Sequence, residues 1–213
     1  MSYCKTLFGT ICTFLLLLNA CDSPVTFDKP QPEGVSTTKT LPEKLHGFFI
    51  SADMSDTLIV KSNSIILHLT YENIYLKSEL DSNQIVKGDT LIDLNSDYKE
   101  IVESIGDTLI SRIYETDTLY FLNRGDVMKK YKGHYLLNEF YSETMWEVTD
   151  MVYINGNIML SKIDDPREIQ LLKTVTQSSN DSTRNFSASK KQFKEFLANG
   201  GFGAGDIYFK IGD

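Results

Sequence analysis

The sequence predicts a mainly β fold in which an antiparallel meander forms a barrel or a sandwich, with one α-helix near the C-terminus. Three observations lead to this prediction. A turn-and-strand phrase recurs four times, an Asn-Gly pair separates two apolar runs, and one late segment carries signals for both ends of a helix. We expect a single β-rich globular domain over residues 44–213.

The recurring phrase is Asp-Thr-Leu, and a glycine precedes two of its copies. Aspartate and glycine favour turns, whereas threonine and aliphatic residues favour strands, so each copy predicts a turn that enters a strand. The irregular spacings of 33, 18 and 10 residues exclude a strict repeat and favour a meander. The copies are Asp56-Thr57-Leu58, Asp89-Thr90-Leu91, Asp107-Thr108-Leu109 and Asp117-Thr118-Leu119.

The strongest hairpin signal is Asn155-Gly156, a pair typical of two-residue turns. Apolar runs flank it at residues 151–154 and 157–160. Before it, Trp146 and Val148 alternate with polar residues, which predicts a half-buried strand.

The predicted helix begins after Ser189, with Gln192 at the capping-box position. Phe193, Phe196 and Leu197 form an apolar stripe at helical spacing, and the Asn-Gly-Gly run at 199–201 suits a left-handed helix end. Residues 206–211 predict a final strand. Residues 168–176 fit a strand or a short helix, and we favour the helix slightly.

Residues 1–20 differ from the rest of the chain, because Lys5 precedes an apolar run over residues 7–18. That run is shorter than the roughly 20 residues that cross a bilayer and fits a signal-peptide core of about 7–15 residues. The sequence from Leu18 to Cys21, Leu-Asn-Ala-Cys, resembles the lipobox of bacterial lipoproteins, although Asn19 stands where Ala, Ser, Thr, Val or Gly is commoner. The resemblance implies cleavage before Cys21 and lipid attachment there, including palmitate. The alternative is an ordinary secretory signal that contains a cysteine.

The next segment, residues 21–43, predicts a lipidated N-terminus and a flexible tether. It holds four of the five prolines and few large apolar residues, so it should not offset its own ordering entropy. As a flexible chain it would reach roughly 25 Å. Cys4 and Cys12 would leave with the signal peptide, so the mature domain would contain no disulfide and no Cys-ligated metal.

The 213-residue chain is acidic, with 21 basic and 29 acidic residues. Loss of Lys5 with the signal peptide leaves 20 basic residues against 29, a net charge of −9. Nucleic acids and anionic headgroups are bound through excess Lys and Arg, so we expect no nucleic-acid partner.

No local spacing indicates a catalytic or metal site. His46, His68 and His134 form none of the common zinc motifs, and no nucleophile motif of the Gly-x-Ser-x-Gly type occurs. The glycine-rich residues 200–205 follow the predicted helix, whereas a phosphate-binding loop would precede one. We therefore expect no metal, no cofactor and no enzymatic activity.

The Asp-Thr-Leu copies and Asp181-Ser182-Thr183 also resemble the O-glycosylation motif of exported Bacteroidota proteins, although the turn-and-strand interpretation is favoured. The Leu-x-Gly-aromatic segment at 45–48, the Gly-Asp-Thr-Leu turns and the helix at 189–197 are similar to those of uncharacterised Bacteroidota envelope lipoproteins. That second resemblance implies no active site. The glycosylation sites implied by the first are Thr57, Thr90, Thr108, Thr118 and Ser182.

We expect a protein of the bacterial cell envelope, held by lipid to the outer rather than the inner membrane, with its domain in the periplasm or at the cell surface. The leading hypothesis is a non-enzymatic lipoprotein that binds or scaffolds another envelope component, such as a protein partner. A lipocalin-like carrier of a small apolar ligand is the second hypothesis, and an envelope hydrolase is the third.

Overall fold

The computed structural model describes residues 23–142, 144–178 and 184–212. Cys21, the predicted signal peptide and Ser182 lie outside these ranges. The described residues confirm a mainly β fold built from antiparallel sheets. The strands are β1 (Thr26–Phe27), β2 (Thr37–Thr38), β3 (Gly47–Ser51), β4 (Asp56–Val60), β5 (Ser64–Leu76), β6 (Gln84–Lys87), β7 (Thr90–Asp93), β8 (Lys99–Ile101), β9 (Glu103–Ile105), β10 (Thr108–Phe121), β11 (Val127–Tyr131), β12 (His134–Ser142), β13 (Met145–Ile154), β14 (Asn157–Ser161), β15 (Asn185–Phe186) and β16 (Asp206–Ile211).

The main sheet pairs its strands in the order β2-β11-β12-β13-β14-β16-β3-β4-β5-β10-β9, and β1 joins β13 and β15 beside this path. Every pair is antiparallel except β1 with β15. The terminal strands β2 and β9 do not pair with each other, so the described sheet is open and sandwich-like. Of the two predicted architectures, the closed barrel is therefore wrong for the described residues.

Both halves of the main sheet share one apolar core. Phe49 on β3, Ile65 on β5, Tyr120 on β10, Leu137 on β12 and Ile158 on β14 all belong to it and are at most 4% exposed. Strands that are distant in the pairing order thus face the same interior, which requires the sheet to fold over on itself.

The described residues contain two α-helices: the one predicted near the C-terminus, and the one that the sequence favoured slightly over a strand at residues 168–176. Helix α1 (Pro166–Thr176) begins where the Asp165 carboxylate accepts the Arg167 backbone N–H, and Pro166 occupies the first turn. Helix α2 (Lys190–Ala198) begins with the predicted capping box. No helix among the described residues is long and apolar enough to cross a membrane.

The helices form a layer over the outer face of β12 and β13. Leu136 and Val148 on those strands contact a second apolar core with Leu172 of α1 and with Phe193 and Phe196 of α2. Because side chains alternate across a strand, Leu136 of β12 faces this helix layer, and its sequence neighbours Tyr135 and Leu137 face the interior core.

The predicted flexible tether over residues 21–43 is wrong for the part that the structure describes. Strand β1 pairs with β13, and β2 pairs with β11. Val25 is 4% exposed, Phe27 is fully buried and Leu41 is 2% exposed. The folded domain therefore begins near residue 24 rather than at residue 44.

Buried polar groups also fix this N-terminal segment. The Lys129 side chain is 6% exposed, and its Nζ donates to the carbonyl oxygens of Pro30 at 2.6 Å and Pro32 at 2.9 Å. The Asn138 amide accepts from the Gln31 backbone N–H and donates to the Gln31 carbonyl oxygen at 3.0 Å. The proline-rich run thus satisfies buried donors of the sheet.

Three of the four Asp-Thr-Leu copies begin strands as predicted, at β4, β7 and β10. Gly88 and Gly106 have φ angles of 67° and 61° in the turns before β7 and β10. The fourth copy lies inside β10, where the pairing with β5 shifts between Thr118 and Tyr120, so it is not a turn. The Asn-Gly hairpin is confirmed, because Asn155 and Gly156 have φ angles of 51° and 88° between β13 and β14.

Strands β5 and β10 extend beyond the core as a long two-stranded ribbon. A three-stranded sheet of β6, β7 and β8 packs near its far end through Leu91, Val102 and Leu109. The ribbon leaves the main core at the same region where the candidate site lies.

Candidate functional site

A cavity of about 520 Å³ opens at one end of the main core. Strands β5 and β10 form one wall, and β12, β13, β14 and β16 form the other. Its volume lies within the range of roughly 300–1,000 Å³ that is usual for small-molecule sites. The cavity exists because the sheet folds over on itself without closing.

The base of the cavity is apolar. Ile65, Leu67, Leu137, Leu160 and Tyr208 line it, and each points inward because it occupies the interior face of its strand. Burial by these side chains raises the pKa of the Tyr208 phenol to about 12, with smaller contributions from nearby aspartates. An apolar group of a ligand would lose little by entering this region.

The rim of the cavity is acidic. Among its described lining residues, Lys162 alone is positively charged, and its Nζ lies 2.8 Å from Glu147 Oε1. The rim carboxylates belong to Asp117, Glu139, Glu147, Asp164 and Asp206.

Glu139 and Glu147 lie directly opposite each other on β12 and β13. Carboxylates in such a cross-strand pair repel each other when both are ionised. Burial raises the pKa of Glu139; Lys162 lowers it, and Glu147, Asp126 and Asp117 raise it further. The wall therefore holds a carboxyl group whose charge the protein only partly neutralises.

Tyr120 lines the same cavity and is 2% exposed, yet its hydroxyl oxygen has no hydrogen-bond partner in the structure. Burial raises the pKa of this phenol, and the charges of Asp126 and Glu139 raise it further. A buried hydroxyl without a partner costs about 1–3 kcal/mol. Tyr120 therefore contributes to the cavity wall, whereas its hydroxyl oxygen is shielded from solvent.

The glycine-rich loop at residues 200–205 forms the remaining part of the wall. The Gly203 N–H donates to the buried Glu168 carboxylate, and Ser161 Oγ donates to the Gly203 carbonyl oxygen at 3.3 Å. A Cβ atom at Gly205 would lie 2.0 Å from the Leu160 carbonyl oxygen, so only glycine allows the loop to approach β14 this closely.

Comparison with known proteins finds no family model, no curated protein and no solved structure that matches this chain.

The three histidines lie apart from the cavity lining. His46 Nε2 is 2.9 Å from the Leu41 carbonyl oxygen, and His134 Nδ1 is 2.7 Å from Asp150 Oδ2. His68 is exposed on β5. The described residues contain no group of three His, Cys, Asp or Glu side chains suited to a metal ion.

The predicted glycosylation sites remain predictions. Thr57, Thr90 and Thr108 lie in strands β4, β7 and β10 with partly buried side chains, whereas Thr118 is exposed and lines the cavity. Ser182 lies outside the described residues, as does the lipid attachment site Cys21.

The residues of the cavity could not be predicted as one site because they come from six separate segments of the chain. One signal in the sequence points to Glu139. Side chains two residues apart lie on the same face of a strand, so Glu139 shares a face of β12 with the apolar residues Tyr135 and Leu137. A charged residue at such an inward position indicates a strand end or a polar site.

Proposed function

We propose that this chain is a non-enzymatic binding protein of the bacterial cell envelope that takes up a small amphiphilic molecule in the cavity. The observation that carries the proposal is the combination of an apolar base and an acidic rim. This pattern, mostly apolar with a few convergent polar groups, is typical of ligand sites. The proposed site lies within an open sheet, whereas a lipocalin-like carrier would hold its ligand inside a closed barrel.

The lining groups favour binding over hydrolysis. No histidine is among the described lining residues, and the Ser161 hydroxyl already donates to a backbone carbonyl. A serine nucleophile needs an adjacent base, which this arrangement does not provide.

We further propose that lipid on Cys21 holds the protein to a membrane, the outer rather than the inner one. The support is the lipobox resemblance at residues 18–21. Val25 is already buried, so four residues of at most about 14 Å would join the lipid to the folded domain. The adjacent residue Thr26 pairs with Glu147 of the cavity rim, so the site would lie close to the membrane surface.

The cavity proposal is tested with 1-naphthaleneethanol, a neutral amphiphile with intrinsic fluorescence. The mature lipidated protein is placed in zwitterionic nanodiscs, and fluorescence anisotropy is measured against empty nanodiscs. We expect the Leu67→Trp variant to weaken binding by at least about tenfold, equivalent to 1.4 kcal/mol, because it fills the cavity.

The matched control is His68→Trp, the next residue on β5, whose side chain lies on the opposite face. It should bind within about twofold of the wild type. Equal losses in both variants, or no binding by the wild-type protein, would contradict the cavity as the binding site.

A protein partner is a second candidate function, favoured by the outer face of β16 and β3. Side chains there that are 43–53% exposed form an apolar surface on an acidic protein, a pattern that indicates an interaction site. They are Phe48, Ile207, Phe209 and Ile211.

A further inference from the structure

The charge of the cavity restricts which amphiphile it can accept. Five carboxylates surround it, and the single described lining cation, Lys162, already forms an ion pair with Glu147. An anionic ligand would meet this excess of negative charge with no free cation beside it. A ligand that brings its own positive charge would neutralise it.

The rim does not have the character of a metal site. Divalent calcium or magnesium takes six or more oxygen ligands in a closely fitted shell. Within the described part of the chain, no three acidic side chains converge closely enough to hold such an ion. A larger monovalent cation with an apolar body matches both the spread of the carboxylates and the apolar base.

We propose that the cavity binds an organic ammonium ion, with the nitrogen beside the Glu139 carboxylate and an apolar body against Leu67 and Leu137. This inference rests on the proposed binding function and names its ligand class. An ammonium group donates up to three hydrogen bonds. The Glu139 carboxylate is a hydrogen-bond acceptor on the cavity wall, and the lining cation Lys162 forms its ion pair with Glu147 instead.

The geometry explains why two glutamates stand opposite each other on the wall. Glu147 is partly compensated by Lys162 at 2.8 Å, whereas no described cation lies within ion-pair distance of Glu139. A bound ammonium would neutralise this uncompensated charge. Burial of a charge is favourable when it is paired and hydrogen-bonded in this way.

The test compares three ligands that share a naphthalene ring and differ in charge. They are 2-(1-naphthyl)ethylamine, 1-naphthaleneethanol and 1-naphthaleneacetate. Anisotropy titrations use the mature lipidated protein in zwitterionic nanodiscs, with empty nanodiscs as the blank. We expect the amine to bind at least about tenfold more tightly than the alcohol, and the carboxylate more weakly than either.

Glu139→Gln keeps the size of the side chain and removes its charge. It should reduce the affinity for the amine about tenfold relative to the affinity for the alcohol. Glu115→Gln is the matched control, because Glu115 is an exposed acid on β10 outside the cavity lining. It should leave the affinities for all three ligands unchanged.

The outcomes separate this inference from the proposed function. Equal affinity for all three ligands, or tighter binding of the carboxylate, would refute the ammonium specificity and leave ligand binding intact. No binding of any of the three would refute the proposed function itself. Loss of amine binding in Glu115→Gln to the same extent as in Glu139→Gln would place the recognised charge outside the cavity and would also refute the inference.

Discussion

Replacement of Phe27 by alanine tests whether the N-terminal segment belongs to the folded domain. The Phe27 side chain is fully buried between the sheet and the helix layer. Its ring lies 5.8 Å from Phe193 in an edge-on contact and 6.4 Å from Phe186. Removal of a buried Phe side chain costs about 3–5 kcal/mol through lost apolar burial and the cavity that remains. In a flexible tether the same substitution would cost almost nothing.

The measurement is thermal unfolding of the mature protein, followed by far-UV circular dichroism. The expected loss would lower the melting temperature by about 6–20 °C, since 1 kcal/mol corresponds to about 2–4 °C in a domain of this size. Phe48→Ala is the matched control, because Phe48 is 53% exposed on β3. It should cost less than about 1 kcal/mol. If Phe27→Ala destabilises the protein no more than Phe48→Ala, residues 24–42 are not part of the core.

Two further predictions concern the buried Asp150 carboxyl group and the lipid anchor. His134→Ala removes the hydrogen-bond partner of the Asp150 carboxylate, which is 2% exposed, and should lower the free energy of unfolding by about 1–3 kcal/mol at pH 7. The control His68→Ala should leave the free energy of unfolding unchanged. Burial raises the pKa of Asp150. A carboxyl group whose pKa is raised in the folded state favours folding while it is protonated, and this contribution to stability is lost as the pH rises through that pKa. The cost of His134→Ala should therefore be smaller at pH 3, where Asp150 is neutral; an equal cost at both pH values would contradict the assignment. Intact mass of the native protein should equal residues 21–213 plus acyl chains on Cys21, with added hexose-type mass if the predicted threonines are glycosylated, and an unmodified mass would remove both proposals.

The parts of the fold that the sequence predicted correctly are those that local signals determine. The Asn155-Gly156 turn needs two positive φ angles, which this residue pair tolerates in any context. Helix α2 carries its own capping box at Ser189 and Gln192 and an apolar stripe. These signals act over a few residues, so no knowledge of the tertiary structure is needed to interpret them.

The tether prediction is wrong because the composition of a segment does not show which distant residues it will contact. Val25, Phe27 and Leu41 are few, but each enters a core that other segments have built. The start of β13 also offers a free edge for β1, which the sequence could not reveal. Even the prolines contribute, because Pro30 and Pro32 supply carbonyl oxygens to the buried Lys129. Ordering entropy was offset by contacts with distant residues.

The length of the link between the predicted anchor and the folded domain also affects how the protein would reach the proposed ligand. A tether of roughly 25 Å would let the domain sample many orientations, whereas a link of at most about 14 Å allows few. Strand β1 pairs with β13 at Glu147, so the described residues that follow the predicted anchor lie next to the rim of the cavity. An amphiphile with a positively charged head resides at the membrane interface, where its ammonium group stays hydrated. If Cys21 is lipidated, the cavity is held next to the compartment in which such a ligand is most concentrated, and a short anchor then serves binding as well as attachment.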